Sequence, residues 1–361
     1  MEEKVFPIPK ERRSLETPDY LIDEKGKAVF GTFEKEFKNL NLLQCDKPTY
    51  WGNCFKKKKL SLWEALTVNF KDGYLLSAIS DIGFFGIVFN IFYDSKDHKV
   101  YSWMEMVKSK EVTFSENLIS DKETSVSIPS VKMKFVNSFQ IGKVSTDGFQ
   151  QSKEMGKIDY HFDLKAYSLP SVVSMPFGKN RPVYSEKQFF KAEGKLIING
   201  KEYLTDENST AIIDDHRGYY PRKAHYDWLT FMGRGKDGRL MGFNLTANQS
   251  LNPYCHNENL IFLEGTNRVL PPVHFTRSRA TLDFVSDEKT PTIWTIKDDY
   301  GMVSLSFRLK GAFLKHQNYL LVKSDYLAVF GTMNGYLKDE NGRFYDFNGL
   351  EAMGEDKTIL L

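Results

Sequence analysis

The amino-acid sequence predicts an antiparallel all-β protein made of barrels or sandwiches. Apolar and polar residues alternate over residues 131–135, 158–166 and 303–310, as expected of strands with one buried face. Asp-Gly or Asn-Gly pairs at residues 72–73, 199–200, 237–238 and 341–342 favour tight hairpins between such strands. Long amphipathic helices are scarce, and residues 60–70 fit either a short helix or a strand.

The chain length favours two domains, because 361 residues exceed the usual size of one hydrophobic core. Residues 169–184 contain three prolines and one glycine and are the best candidate for a linker. We therefore predict an N-terminal barrel over residues 1–175 and a C-terminal barrel over residues 176–361, with the candidate site in the second.

Composition and charge restrict the classes of partner. The formal net charge is +2, which is too balanced for a nucleic-acid binder, whereas the 14% aromatic content suits a pocket for apolar ligands. No apolar run approaches the roughly 18 residues of a membrane span, so stable membrane insertion is not expected. Three cysteines and the absence of a recognisable leader predict reduced thiols in the cytoplasm. The oligomeric state is left open.

The densest polar chemistry lies at residues 214–222, directly after an apolar strand. In the functional interpretation, Asp215 or Asp214 is a general acid, and His216 is a base or orients one. In the structural interpretation, these acids bond turn amides and pair with neighbouring arginines. With Asp215 and His216 as the catalytic pair, the predicted ligand-binding residues are Asp214, Arg217, Tyr219, Tyr220, Arg222, Trp228, Asn244 and Glu258.

Two further segments have a functional and a simpler interpretation. Cys255, His256 and Glu258 offer metal ligands, but the paired spacings of a structural zinc site are missing. No phosphate-binding glycine loop or dinucleotide fingerprint is present, so neither a metal nor another cofactor is expected. The lysine run at residues 56–59 indicates a solvated loop, and its alternative is contact with an anionic membrane surface.

Short segments follow one another along nearly the whole chain in a specific order: residues 21–26 with Gly31, Trp63 ahead of residues 79–83, then residues 215–221, 242–245, 258–259 and 330–335. In this order they resemble the bacterial family known as domain of unknown function 2804. That family is distantly similar to the tandem lipocalin-like proteins of the AttH type, which include carotenoid 1,2-hydratase (hydroxyneurosporene synthase). The resemblance implies two calycin-type antiparallel barrels side by side, with an apolar ligand space.

The same resemblance suggests an activity. In those hydratases an Asp-His pair opens an Asp-His-Gln-Trp-Gly-like motif; Asp215 and His216 match the pair, Gly218 comes one residue early, and Tyr219 or Tyr220 replaces the tryptophan. The implied protein binds an isoprenoid or lipid-like molecule and hydrates or isomerises a C=C bond without a metal or nucleotide cofactor. Asp215 would protonate the double bond and His216 would deprotonate the attacking water.

Two alternatives to an enzyme stay open. One is a non-catalytic carrier of hydrophobic ligands, which can leave Asp215 and His216 outside its cavity. The other is a structural or interaction protein whose barrels are filled by side chains. An enzyme must instead place its catalytic groups on the wall of a cavity.

Overall fold

The computed structural model describes residues 5–285, 289–318 and 323–360, where nearly all regular structure is β-strand. The first sheet has fourteen strands: β1 Gly31–Phe33, β2 Ser61–Phe70, β3 Gly73–Asp81, β4 Phe85–Asp94, β5 Lys99–Lys108, β6 Val112–Thr113, β7 Lys122–Ile128, β8 Val131–Ser138, β9 Lys143–Ser152, β10 Gly156–Ala166, β11 Ser171–Pro176, β12 Pro182–Ile198, β13 Lys201–Leu204 and β14 Thr210–Gly218. The second has ten: β15 Lys223–Arg234, β16 Leu240–Ala247, β17 Leu260–Leu263, β18 Thr266–Val269, β19 His274–Arg277, β20 Ile293–Lys297, β21 Val303–Asn318, β22 Lys323–Lys338, β23 Phe344–Asp346 and β24 Leu350–Leu360.

The helices in the described residues are short. One α-helix, α1 Lys56–Lys59, is accompanied by 3₁₀ turns at Lys10–Arg12, Leu42–Gln44, Ser109–Glu111, Phe139–Ile141 and Thr281–Asp283. None of these helices combines the length and the hydropathy that a bilayer crossing requires.

The strands of both sheets pair in antiparallel fashion. The first sheet follows the order β5-β4-β3-β2-β14-β12-β10-β9-β8-β7-β6, and the second follows β18-β17-β16-β15-β24-β22-β21-β20-β19. Each sheet folds around its own buried core as a near-barrel or half-barrel. The predicted all-β fold is therefore confirmed, and the two sheets are consistent with tandem barrels.

The alternating segments form strands as predicted. In β10, Ile158, Tyr160 and Phe162 are buried in the first barrel, while the residues between them are more exposed. The four predicted turns join β2 to β3, β12 to β13, β15 to β16 and β22 to β23. Their glycines have the positive φ angles that such turns require, for example 85° at Gly200.

Two ambiguous segments are now resolved. All but the first of residues 60–70 form strand β2, with Leu66 and Val68 in the barrel core and Ala65 in a second buried layer. Burial on both faces removes the clean alternation by which a strand is recognised. Residues 169–184, predicted as a linker, contain β11 and the start of β12, which form a hairpin with Pro176 opposite Pro182.

The chain passes from the first sheet to the second between Gly218 and Lys223. Strands β12 and β14, which follow residue 176, pair within the first sheet. The predicted boundary between residues 175 and 176 separates two units that would each fold alone. That boundary stays a prediction.

A third buried layer lies between the two sheets. It brings together Ala65 and Phe89 from the first sheet with Trp228 and Phe330 from the second. The barrel interiors are packed with other side chains, such as Phe162 in the first and Trp294 in the second. The layer between the sheets therefore positions the site described next.

Candidate functional site between the two sheets

A cavity of about 170 Å³ is lined by residues of both sheets. The side of the first sheet is mainly apolar: Leu62, Trp63, Leu76, Ile82, Phe85, Ile87, Phe89, Met104 and Met106. The second sheet adds the aromatic rings of Tyr226, Trp228 and Tyr326. An apolar space with a few polar groups is the usual composition of a small-molecule site.

Strand alternation decides which residues of the predicted motif reach this cavity. Asp214 and His216 are two positions apart on β14 and both line the cavity. Asp215 and Arg217 point to the opposite face, towards the interior of the first barrel, because successive strand residues alternate. The structure therefore brings Asp214, rather than Asp215, to the cavity beside His216.

Strand β12 supplies the partners of this pair. In the antiparallel register, Lys187 lies opposite Asp214 and Ser185 lies opposite His216. Lys187 is 2% exposed and donates to Asp214; its Nζ also lies 3.2 Å from Oε2 of Glu258. Glu258 accepts a hydrogen bond of 2.6 Å from Ser185 Oγ.

His216 lies at the centre of this network. Its Nε2 atom is 3.1 Å from Asp214 Oδ1 and 3.3 Å from Glu258 Oε2. Lys187 Nζ is only 2.8 Å from the same Nε2, a distance at which a protonated imidazole would repel the ammonium group. Lys187 and His216 thus compete for two carboxylates, and the four groups together can reach electrical neutrality.

The charges around His216 favour its protonated form. Burial and Lys187 act to lower the pKa of His216, but Asp214 and Glu258 outweigh them and raise it to about 9. Burial likewise opposes ionisation of Glu258, yet Lys187 and His216 hold its pKa well below the usual range. In the imidazolium form, Nε2–H and the Lys187 ammonium both donate to carboxylate oxygens.

Tyr220 connects this network to the cavity. His216 Nδ1 lies 3.3 Å from the Tyr220 hydroxyl, and Tyr220 lines the cavity. Burial raises the pKa of Tyr220, so its hydroxyl stays protonated and can donate to a ligand. A proton can therefore pass between His216 and the cavity through this phenol.

A second polar group lies on the side of the second sheet. Glu355 accepts hydrogen bonds from Tyr226 and Tyr326, and burial raises its pKa. The Nζ atom of Lys357 lies 4.8 Å from the ring centroid of Trp63 and 5.4 Å from that of Tyr326. Ring faces therefore provide much of the environment of this amine. Burial lowers the pKa of Lys357.

Asp215 does not line the cavity and is paired with Arg217. Arg217 donates to both carboxylate oxygens of Asp215, with Nε 2.8 Å from Oδ2 and 3.0 Å from Oδ1. The guanidinium also donates to the backbone carbonyls of Ser115 and Glu116. The structural interpretation of the motif is thus realised by Asp215 and Arg217, although within a strand and not at a turn.

The other predicted ligand-binding residues divide in the same way. Trp228 lines the cavity, and its Nε1 donates to Asn244 Oδ1 over 2.7 Å. Asn244 also donates to the backbone carbonyl of Glu258, so it orients two wall residues. Tyr219 is buried and donates to the carbonyl of Leu42, whereas Arg222 is exposed.

The suggested metal ligands do not converge. Among the described residues, the cluster with metal-ligand geometry is formed by His225, Asp227 and Asp356, and it does not include Cys255 or His256. Arg277 pairs with Asp227 and lies 3.1 Å from Asp356. This guanidinium already supplies the positive charge that a metal ion would bring to the two acids.

The sequence did not point to several residues of the site. They are the cavity-lining Lys187, Trp63, Tyr226, Tyr326, Glu355 and Lys357, and Ser185, which donates to Glu258. They come from five strands that are distant in sequence, so no local motif unites them. The one signal available was a polar residue inside an otherwise buried strand, as at Lys187 in β12.

A family model for domain of unknown function 2804 matches residues 12–359. The chain belongs to the DUF2804 family. The predicted resemblance to this family is thus confirmed. No curated protein sequence matches the chain.

A solved structure shares the fold of this DUF2804 protein. A crystal structure of CghA with Sch210972 is 12% identical, with a TM-score of 0.50, and the match covers 96% of this chain and 98% of CghA. Kievitone hydratase from Nectria haematococca is also 12% identical, with a TM-score of 0.49 and coverage of 83% and 88%. At such identities the likeness concerns the fold alone.

Proposed function

We propose that this DUF2804 protein binds an apolar small molecule between its two sheets and moves a proton to or from it. The observation that supports this proposal most strongly is the place of His216. It contacts two carboxylates and Lys187, and it lines a mainly apolar cavity. A pure carrier has no need for buried ionisable groups at that place, since each carries a desolvation cost.

The proposed reaction is hydration or isomerisation of a C=C bond in an isoprenoid or lipid-like molecule. His216 and Tyr220 supply a proton donor and, after its transfer, a proton acceptor on one wall. Ring faces of Trp63 and Trp228 line the same space and can stabilise positive charge that develops on carbon. His216 takes the role of acid that was expected of Asp215, and Asp214 supports its protonated form.

The setting proposed for this reaction is the cytoplasm. The three cysteines, Cys45, Cys54 and Cys255, are free thiols. Such thiols suit a reducing compartment.

The proposal is tested by incubating the protein with geraniol and with oleate and following the products by mass spectrometry and NMR. Hydration adds one water to the mass, and isomerisation moves an olefinic signal. We expect His216→Asn to lower turnover by at least about a hundredfold, because a positioned acid or base contributes on that order or more.

His161→Asn is the matched control, since His161 is exposed on β10 and pairs with Asp147 away from the cavity. Binding of both compounds without turnover by the wild type, and equal binding by His216→Asn, would establish a carrier instead. Absence of both binding and turnover would reject a ligand-handling role for these compound classes.

A further inference from the structure

An exposed group of rings and lysines lies on helix α1, the turn before it and the loop before β4. We call Trp51, Phe55, Lys58, Lys59 and Phe84 the aromatic–lysine patch. Its three rings are 59%, 61% and 57% exposed, respectively. Lys59 Nζ lies 5.4 Å from the Trp51 ring and 5.8 Å from the Phe84 ring. Exposed rings that adjoin one another mark interaction surfaces, whereas single exposed rings are ordinary.

The patch is held in a defined shape. Lys56 at the start of α1 donates to the backbone carbonyl of Cys45 over 2.9 Å. On the other side, Gly83 approaches α1 so closely that an added Cβ would lie 2.3 Å from the carbonyl oxygen of Lys58. Helix α1 and the loop before β4 are therefore packed together, and they present their rings and ammonium groups on one surface.

The chain segment that carries most of the patch is strongly basic. Residues 47–63 contain five lysines and no acidic residue, although the whole chain has a net charge of only +2. Arg181 adds a further cation, stacked 4.5 Å from the ring centroid of Tyr50. Lysines combined with tryptophan and phenylalanine suit the headgroup region of an anionic bilayer, where ammonium groups meet lipid phosphates and rings enter the interface.

The patch borders the cavity. In the chain, Phe84 lies between Ile82 and Phe85. Ile82 and Phe85 both line the cavity. Met106 also lines it and is 52% exposed, so the cavity reaches the surface on this side. We propose that the aromatic–lysine patch docks the protein reversibly on an anionic membrane surface, with this edge of the cavity turned towards the bilayer.

Vesicle flotation tests the docking. The wild-type protein is mixed with vesicles of phosphatidylcholine alone or of equal parts phosphatidylcholine and phosphatidylglycerol. We expect it to float with the anionic vesicles only, and to be released at high salt. Lys57→Gln, Lys58→Gln and Lys59→Gln combined should weaken binding roughly a hundredfold, since each lysine contributes about one factor of five near such a surface.

The matched control removes three exposed lysines elsewhere on the first sheet, with Lys132→Gln, Lys143→Gln and Lys165→Gln. This control should float like the wild type, and equal melting temperatures establish that both triple variants are folded. A wild type that stays with the buffer, or equal flotation of both triple variants, overturns the proposal; the first result would leave the patch to a protein partner.

A dye on exposed Cys54 reports where contact occurs. Cys54 lies between Trp51 and Phe55 in the chain, and a Cys255→Ser background removes the other accessible thiol. Emission of an environment-sensitive label should shift to the blue with anionic vesicles. No shift in a sample that floats would place the contact elsewhere and would also overturn the proposal. His216→Asn should float normally, so failure of the proposed chemistry is distinguishable from failure of docking.

Discussion

Arg217→Met is expected to lower the free energy of unfolding by about 3–5 kcal/mol, the usual result of breaking a buried ion pair from one side. Arg217 is 4% exposed and Asp215 is 1% exposed. Removing the guanidinium leaves the Asp215 carboxylate uncompensated near Glu64, which lies opposite it on β2. Chemical denaturation monitored by circular dichroism measures the loss.

The loss should depend on pH in a defined direction. Burial already raises the pKa of Asp215, against the pull of Arg217, and burial raises that of Glu64 to about 7. Without Arg217 the pKa of Asp215 rises further. A carboxyl whose folded pKa is raised stabilises the fold fully below its unfolded pKa and less as pH increases. The deficit of Arg217→Met should therefore be smaller near pH 4 than near pH 8.

The chain contains a matched exposed pair for comparison. Asp237 and Arg239 have the same spacing in sequence, and their side chains are 41% and 39% exposed. Arg239→Met should cost less than about 1 kcal/mol, because solvent screens such pairs. Asp215→Leu combined with Arg217→Met should recover the part of the loss that comes from the unpaired carboxylate, since an apolar pair needs no compensating charge. Equal losses for Arg217→Met and Arg239→Met would contradict the assigned role of Arg217.

The fold was predictable where local patterns are unambiguous. β10 has one face in a core and one in solvent, and its alternation is plain in the sequence. β2 has both faces buried because the second sheet packs against it, so its pattern fits a helix equally well. The hairpin of β11 and β12 was hidden by prolines that stand at its closing pair, Pro176 and Pro182.

The site was predictable only in part, for a related reason. The motif at residues 214–217 is a strand, so its neighbouring polar residues belong to two different environments. Sequence alone could not decide whether Asp214 or Asp215 shares a face with a cavity, although period-two alternation places only one of them beside His216. Lys187 and Glu258 join the site through pairing between strands and through a loop, which no local pattern reveals.

Lys187→Met should destabilise the protein by about 3–5 kcal/mol and should raise the pKa of His216 above its value of about 9. The ammonium group is the main partner of two buried carboxylates, and its charge opposes protonation of His216. Asp214→Asn should move the pKa of His216 in the opposite direction, because it removes an anion 3.1 Å from Nε2. NMR titration of the His216 ring protons measures both shifts.

Lys96→Met is the control for the stability measurement, since Lys96 pairs with Asp72 at the surface and is 65% exposed. The pH dependence gives an independent check on the network. A histidine whose folded pKa is raised from 6.5 to about 9 stabilises the fold below pH 6.5 and loses that contribution as pH rises through 9. The wild type should lose roughly 3 kcal/mol across this range relative to His216→Gln. Parallel stability curves for the two proteins would show that the carboxylates do not hold a proton on His216, and would remove the basis for its role as the acid.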